Sequence, residues 1–336
     1  MKIKLSKSKI LGLSFLFFFL GQTVSGQKKP IDISGIDFKE IDSFVEYHEA
    51  QVTGHLIINH HPERITGISV HYGPTMENLS SSVNASFDLL NGFSAILPNL
   101  EDGTLYYYII DISVGSKHIK SGIRYFFTFA QGPVDLDLPS GNMWASHNVG
   151  ATLPTADGDY FAWGETSAKD HYSWTTYKYC AERTATSTFF SRYTTNHRNH
   201  QSKVDNWVEL HQEDDAAYSK MGIGWGIPMS KDWKELLDYC VIKRVEVNKV
   251  RGILISSRKT PNNYKKTIFL SDQTGMMDGT ECRHKSRGLY WSSSLAVYPT
   301  SLDDDAFLFE ASGYQNGIIP HYSRYLGLNI RAVKRR

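Results

Sequence analysis

Acidic residues near the end of the sequence have the chemistry to bind a hard cation. Asp303, Asp304 and Asp305 are consecutive, and Glu310 follows them in the next apolar stretch. Carboxylate oxygens are the ligands that Ca²⁺ prefers in proteins. A short run of like charges is more often a solvated turn, and we favour that interpretation. These four residues are therefore candidate metal ligands, but the sequence predicts no cofactor.

Three aromatic residues in one segment have the chemistry to bind a carbohydrate. Tyr172, Trp174 and Tyr177 follow a turn, and exposed aromatic rings there would stack on sugar rings. The same side chains would equally fill a hydrophobic core, which is the interpretation we favour. They are the candidate ligand-binding residues of the sequence.

The sequence contains no recognisable catalytic constellation. It has no Gly-x-Ser-x-Gly elbow, phosphate-binding loop or dinucleotide-binding glycine motif. Cys180, Cys240 and Cys282 allow one disulfide in three pairings, which the sequence leaves open. Cys282 is the one candidate nucleophile, although no second cysteine lies near it. We therefore expect the protein not to be an enzyme.

The composition indicates a folded protein of about two domains. Of 336 residues, 41% are apolar and 13% aromatic, which is enough to build sizeable cores and excludes extended disorder. Lys and Arg number 36 against 35 Asp and Glu, so no net field would attract nucleic acid. We expect no nucleic-acid partner.

The first 26 residues have the pattern of an export signal. Lys2, Lys4, Lys7 and Lys9 precede an apolar run over 10–20, and small residues follow up to Gly26. The run is shorter than the ~20 residues that a membrane-spanning helix needs. We predict cleavage between Gly26 and Gln27, a linker over 27–35, and export to the periplasm, the medium or the outer cell surface. No later segment is long enough to span, so the protein is not expected to be an integral membrane protein.

Residues 36–130 alternate with a period of two between apolar and polar side chains, as half-buried strands do. Ile68, Val70 and Tyr72 share one face of a strand, and Tyr106 begins another apolar face. Short strands separated by turns predict an all-β sandwich. The segment Leu100-Glu-Asp-Gly-Thr-Leu-Tyr106 resembles the fibronectin type III pattern. That resemblance implies a tyrosine corner, in which the Tyr106 hydroxyl bonds to backbone upstream.

A linker at 131–133 precedes a second predicted domain, 134–334, of a different character. Its ordered landmarks resemble the Fibrobacter succinogenes major paralogous domain family of exported Bacteroidetes proteins. The landmarks are Trp144 to Gly150, Trp163-Gly-Glu165, Trp225-Gly-Ile-Pro228, Tyr290-Trp291-Ser-Ser-Ser294 and Gly327-Leu-Asn-Ile-Arg331. The resemblance implies a fold similar to C-type lectins and formylglycine-generating enzymes, with one or two short helices and long loops. The expected fold class is thus mostly β, with an α+β second domain.

One helix can be predicted inside this second domain. Trp233, Leu236, Leu237 and Cys240 recur at the spacing of a single helical face. We expect Trp233, Leu236 and Leu237 to anchor that helix against the strand that carries Trp291.

Together these features predict an exported, surface-associated protein that binds an extracellular glycan or protein without catalysis. The polar segment 184–211 is where loop variation would set specificity. Two alternatives are a passive structural component of a surface assembly and a catalyst related to the formylglycine-generating enzymes, acting through Cys282.

Overall fold

The structure is a computed structural model that describes residues 33, 35–58, 65–88, 90, 92–183, 188–195, 204–298, 303–312 and 316–336. The predicted signal peptide, with its cleavage point between Gly26 and Gln27, lies outside these residues. Neither helix within the described residues is long and apolar enough to cross a membrane.

The first part of the chain is a sandwich of two antiparallel sheets. Its strands are β1 (Ile36–Val45), β2 (Ala50–Ile58), β3 (Ile65–Gly73), β4 (Ser81–Asn84), β5 (Ser86–Asp88), β6 (Gly92–Leu97), β7 (Leu105–Val114), β8 (Lys117–Lys120) and β9 (Arg124–Phe127). One sheet has the order β1-β2-β6-β5 and the other β4-β3-β7-β8, with β9 also paired to β7. Alternate side chains of the longer strands enter one apolar cluster between the sheets. The predicted fibronectin type III-like β-sandwich is thus confirmed at the level of fold.

Tyr106 lies at the start of β7 with its ring in this cluster. The side chain is 8% exposed and stacks on Phe126, with 5.7 Å between ring centroids. Its hydroxyl oxygen accepts a hydrogen bond of 2.9 Å from the backbone N–H of Glu101. This is the bond to upstream backbone that defines a tyrosine corner.

The second part combines short strands with two short helices. They are β10 (Pro133–Asp135), β11 (Met143–Ala145), β12 (Cys180–Arg183), β13 (Thr188–Phe190), α1 (Ala216–Met221), β14 (Trp225–Gly226), α2 (Ser230–Tyr239), β15 (Cys240–Val247), β16 (Val250–Ser257), β17 (Thr267–Ser271), β18 (Met276–Asp278), β19 (Glu281–Arg283), β20 (Arg287–Leu295), β21 (Asp305–Ser312), β22 (Asn316–Ser323) and β23 (Val333–Lys334). The larger sheets have the orders β10-β11-β23-β14, β15-β16-β17 and β20-β21-β22. The predicted class, mostly β with few helices and long loops, is confirmed.

Helix α2 forms where predicted and packs against the predicted strand, with Leu237 less buried than the other two anchors. Trp233 and Leu236 are fully buried, whereas Leu237 is only half-buried. The Trp233 ring stacks on Phe309, with 4.5 Å between centroids and 7° between ring planes. The expected strand β20 does pack against α2, but through Tyr290. Successive strand residues face opposite sides, so Trp291 enters the cluster on the other face of the sheet.

The two parts share a packed contact. Phe127 and Phe129, at the end of the sandwich, lie in one apolar cluster with Leu254 and Phe269 of the second part. The Asn248 side chain binds both the N–H and the C=O of Val45, at 2.7 and 2.8 Å. An amide that pairs with backbone in this way continues the hydrogen bonding of β1 into the second part. The division at 131–133 stays a prediction, since buried residues on both sides of it pack together.

Candidate ligand-binding cleft

A cleft of about 370 Å³ opens between the sandwich and the second part. Small-molecule sites usually fall between about 300 and 1,000 Å³ and often lie between domains. The lining combines aromatic rings with hydroxyl and amide groups. It includes Tyr47, Gln131, Ser146, His147, Thr152 and Trp225.

One small sheet brings most of these side chains together. Ser146 and His147 directly follow β11, and Trp225 begins β14. Strands β11 and β14 both pair with β23, so residues far apart in sequence become neighbours. Tyr47 reaches the cleft from the turn between β1 and β2, and its hydroxyl lies 3.2 Å from Ser146 Oγ.

His147 is neutral in this setting. Burial and the nearby Arg331 charge lower the pKa of His147 from 6.5 to about 4. The Nδ1 atom is buried without a hydrogen-bond partner among the described residues. The ring also lies edge-on to Tyr47, with 6.5 Å between centroids. Near pH 7 the imidazole is therefore a polar, uncharged part of the wall.

Arg331 lies behind the lining and is fully buried. Its Nη1 donates to the carbonyl oxygens of Ser146 at 3.2 Å and Phe269 at 2.8 Å, with a longer contact of 3.5 Å to Ala145. Nε donates to Asn148 Oδ1 at 2.9 Å, and Nη2 has no partner among the described residues. Burial lowers the pKa of Arg331 to about 10, which leaves it charged near neutral pH. The cleft thus has a buried positive charge behind it.

This arrangement is suited to binding a polar ligand. The lining side chains identified above include no carboxylate and no thiol. The Ser146 hydroxyl has Tyr47 as its partner instead of a histidine, so no base is in place to activate it. Aromatic faces and neutral donors, by contrast, are the usual means of holding a polar ligand.

A second cleft, of about 360 Å³, lies between β1, β9 and the turn that joins β15 to β16. The Lys249–Asp42 ion pair, at 3.7 Å, joins the two parts there. The Asn248 side chain, which also lines it, is already bonded to Val45. We therefore interpret this second cleft as part of the contact between the two parts.

The aromatic residues proposed for carbohydrate stacking lie inside the second part. Tyr172 is 2% and Tyr177 3% exposed, and their hydroxyls donate to the carbonyl oxygens of Tyr160 and Trp163. Trp174 is half-buried, and its ring packs 4.9 Å from the Tyr325 centroid. These side chains do not form an exposed platform, because Tyr172 and Tyr177 belong to a large apolar cluster of the second part and Trp174 packs against it.

The acidic candidates for a metal site do not converge. Asp303 accepts hydrogen bonds from the Thr195 backbone N–H and hydroxyl, at 2.7 and 2.8 Å. Glu310 pairs with both Nε and Nη2 of Arg287. Asp304 directly precedes β21, and Asp305 faces His321, at 3.7 Å. Within the described residues no group of three or more His, Cys, Asp or Glu side chains is placed to hold a metal ion.

The three cysteines, all within the described residues, form no disulfide with one another. Cys240 is buried, and burial raises the pKa of its thiol to about 12. Cys282 Sγ lies 3.5 Å from the carbonyl oxygen of Thr274 and 3.7 Å from the Tyr160 hydroxyl. Neither of these two contacts is with a basic side chain.

Reasoning from the sequence missed the residues that form the cleft. Ser146, His147 and Trp225 belong to recognised landmarks, and polar residues inside such a segment were the available signal. Tyr47 had no such signal, because its partner Ser146 is 99 positions away.

No protein-family model matches the chain, and no curated protein is matched. The chicken CNTN1 FN1–FN3 structure is similar at 15% identity over 27% of this chain and 31% of that one, with a TM-score of 0.23. The chain thus spans about a third of that structure. A computationally redesigned β-sandwich protein shows 24% identity over 27% of this chain and 92% of its own, with a TM-score of 0.22. A fibronectin type III domain derived from the human KIAA0970 protein shows 13% identity over 30% of this chain and 77% of its own, with a TM-score of 0.23. These likenesses cover less than a third of the chain.

Proposed function

We propose that the protein is an exported, surface-associated binding or adhesion protein that recognises an extracellular glycan or protein and catalyses no reaction. The cleft between the sandwich and the second part is the observation that carries this proposal. It has the size of a ligand site and a lining of aromatic and neutral polar groups.

The resemblance of the second part to the Fibrobacter succinogenes major paralogous domain family supports the same proposal. That resemblance implies a C-type-lectin-like fold, in which long loops are available to contact a ligand. We also propose the division into a sandwich over 36–130 and a second domain over 134–334. In this arrangement the sandwich supplies one wall of the site through Tyr47.

Export is part of the proposal and has its own test. The pattern of residues 1–26 supports removal of a signal peptide, with Gln27 as the new N-terminus. Cell fractionation and N-terminal sequencing of the native protein should find Gln27 outside the cytoplasm. Recovery of a cytoplasmic protein that begins at Met1 would contradict export and with it the surface role.

The binding role can be tested with purified protein that begins at Gln27. We expect it to bind at least one member of a printed oligosaccharide array or a panel of extracellular matrix proteins. Trp225→Ala and Tyr47→Ala should weaken that binding about tenfold or more, since truncating a central aromatic contact typically costs at least 1–2 kcal/mol.

Ile223→Ala is a matched control, because Ile223 lies close to Trp225 in sequence and is 87% exposed. Thermal melts of each variant should show that the fold is retained. Binding that is equally strong in all variants would remove the cleft as the site. No binding by well-folded protein on either panel would instead favour a passive structural role.

A further inference from the structure

Among the described residues, no carboxylate lies within hydrogen-bond reach of the Arg331 guanidinium. Each acceptor of its guanidinium is a carbonyl or amide oxygen, and Nη2 has no partner among the described residues. A buried charge without a counter-ion is costly, so an anion nearby would be favoured. Because Nη1 bonds to the carbonyl oxygens of Ser146 and Ala145, this charge lies directly behind residues that line the cleft.

The residues that line the cleft include no carboxylate that would oppose this charge. His147 is neutral near pH 7, and Lys334 Nζ lies 5.8 Å from the Trp225 ring centroid. Asp102 contacts a lining residue through the Gln131 backbone N–H, at 3.0 Å, but is not itself part of the lining. Clefts whose charge has one sign concentrate ligands of the opposite sign.

The side chains that line the cleft are better suited to an anion that carries a sugar ring than to a small inorganic anion. Tyr47 and Trp225 present partly exposed aromatic rings, which pack well against the apolar faces of sugar rings. Ser146, Thr152 and Gln131 add hydroxyl and amide groups that can hydrogen-bond to sugar hydroxyls. The lining thus combines ring surfaces with neutral polar groups close to a buried cation.

From this arrangement we infer that the cleft binds an acidic carbohydrate. The sugar ring packs between Tyr47 and Trp225, and its carboxylate is attracted by the charge of Arg331 and by Lys334. This inference rests on the proposed binding function and names the ligand class of the same site.

The test uses two matched pairs of probes that differ in their acidic group. Trigalacturonate is compared with its methyl ester, and sialyllactose with lactose, by calorimetric titration of the protein that begins at Gln27. At least one acidic probe should bind about tenfold or more tightly than its neutral partner, as expected for a charged hydrogen-bonding partner. The preference should shrink as salt is raised, because salt screens the attraction.

Two variants distinguish the contribution of positive charge to binding from the contribution of the aromatic ring. Lys334→Gln should reduce the preference for the acid, because it should weaken the acidic probe more than its neutral partner. Trp225→Ala should weaken both probes by the same factor. Arg331→Gln is informative only if thermal melts show a folded protein, and it should then abolish the preference.

The possible failures are distinguishable from failure of the binding function. A neutral sugar or a protein that binds in the cleft more tightly than either acid would overturn the acidic ligand and leave the binding role intact. An acidic probe unaffected by Trp225→Ala would overturn this site. Tighter binding of a hexaglutamate peptide than of either acidic sugar would overturn the carbohydrate class.

Discussion

The sandwich and the second part differ in how their buried backbone N–H and C=O groups find hydrogen-bond partners. In the sandwich, long strands pair with one another, and Asp111 is the one buried charged side chain among its described residues. In the second part, charged side chains such as Asp214, Asp215, Arg324 and Arg331 are buried. Because backbone polar groups must find partners, a loop-rich core needs side chains that supply them.

Two residues show how this works. Arg324 is fully buried and donates to the carbonyl oxygens of Arg192, Tyr193 and Asp303, at 3.2, 3.2 and 2.9 Å. Asp215 accepts from backbone N–H groups at the start of α1 and also from Ile227, at 2.8 Å. Each ties separate segments together, as strand pairing does in the sandwich. We therefore expect the second part to be far more sensitive to loss of a single polar side chain.

The largest effect is expected for Arg324→Met. This change removes all the donors to those carbonyls and the stacking of the guanidinium on Phe190, at 4.4 Å. The free energy of unfolding should fall by roughly 3–5 kcal/mol, as for other broken buried charge networks. All seven tryptophans follow residue 143, so tryptophan fluorescence during urea unfolding reports on the second part alone. Arg283→Met, at a side chain 53% exposed, is the control and should change stability by less than about 0.5 kcal/mol. Equal losses of stability in the two variants would refute the proposal that Arg324 stabilises the second part by joining separate segments.

The next largest effect is expected from buried apolar side chains, which also stabilise the second part. Leu236→Ala should lower stability by about 2–5 kcal/mol, because Leu236 is fully buried under α2. Leu237→Ala should cost clearly less, since this side chain is only half-buried. Urea unfolding followed by tryptophan fluorescence measures both. If Leu237→Ala proved the more damaging, the orientation of α2 described above would be wrong.

A smaller effect concerns the neutral histidine of the cleft. The pKa of His147 is about 4 when folded and near 6.5 when unfolded, so the unfolded chain binds a proton first as pH falls. His147 therefore stabilises the fold fully above pH 6.5, and this contribution is lost as pH falls towards 4. The loss is at most about 3 kcal/mol, and less where solvent screens the ring. Unfolding of the wild type and His147→Gln should be compared across this pH range. If the free energies of unfolding of the two proteins changed with pH in parallel, His147 would not be held neutral by the cleft.

The same contrast explains what the sequence could and could not predict. Alternation around Val70 and Tyr106 predicted strands correctly, because strand pairing imposes a local period of two. The stripe Trp233–Leu236–Leu237 predicted α2, but helical periodicity cannot say which edge of the stripe meets the sheet. The segment around Tyr172 was ambiguous for the same reason, since aromatic content does not separate buried from exposed rings.

The cleft was beyond prediction for a physical reason. It forms where β23 brings β11 and β14 together and where the turn after β1 reaches Ser146. Contacts of this kind join segments that have no local pattern in common. The buried charge of Arg331 belongs to a recognised landmark, yet only its packing shows that its acceptors are backbone oxygens.

The smallest expected effect is in the sandwich, where one side-chain hydrogen bond supplements extensive strand pairing. Tyr106→Phe removes the acceptor of the Glu101 N–H and leaves the ring in place. The free energy of unfolding should fall by about 1 kcal/mol, the usual cost of one such bond. Hydrogen exchange at the amides of β7 in the full chain measures it, because the sandwich contains no tryptophan. Tyr107→Phe is the control, since Tyr107 is half-buried and its ring lies 6.5 Å from that of Tyr125. A loss as large as that for Arg324→Met would contradict the expected difference between the two parts, because the sandwich would then depend on a single polar side chain as strongly as the loop-rich part does.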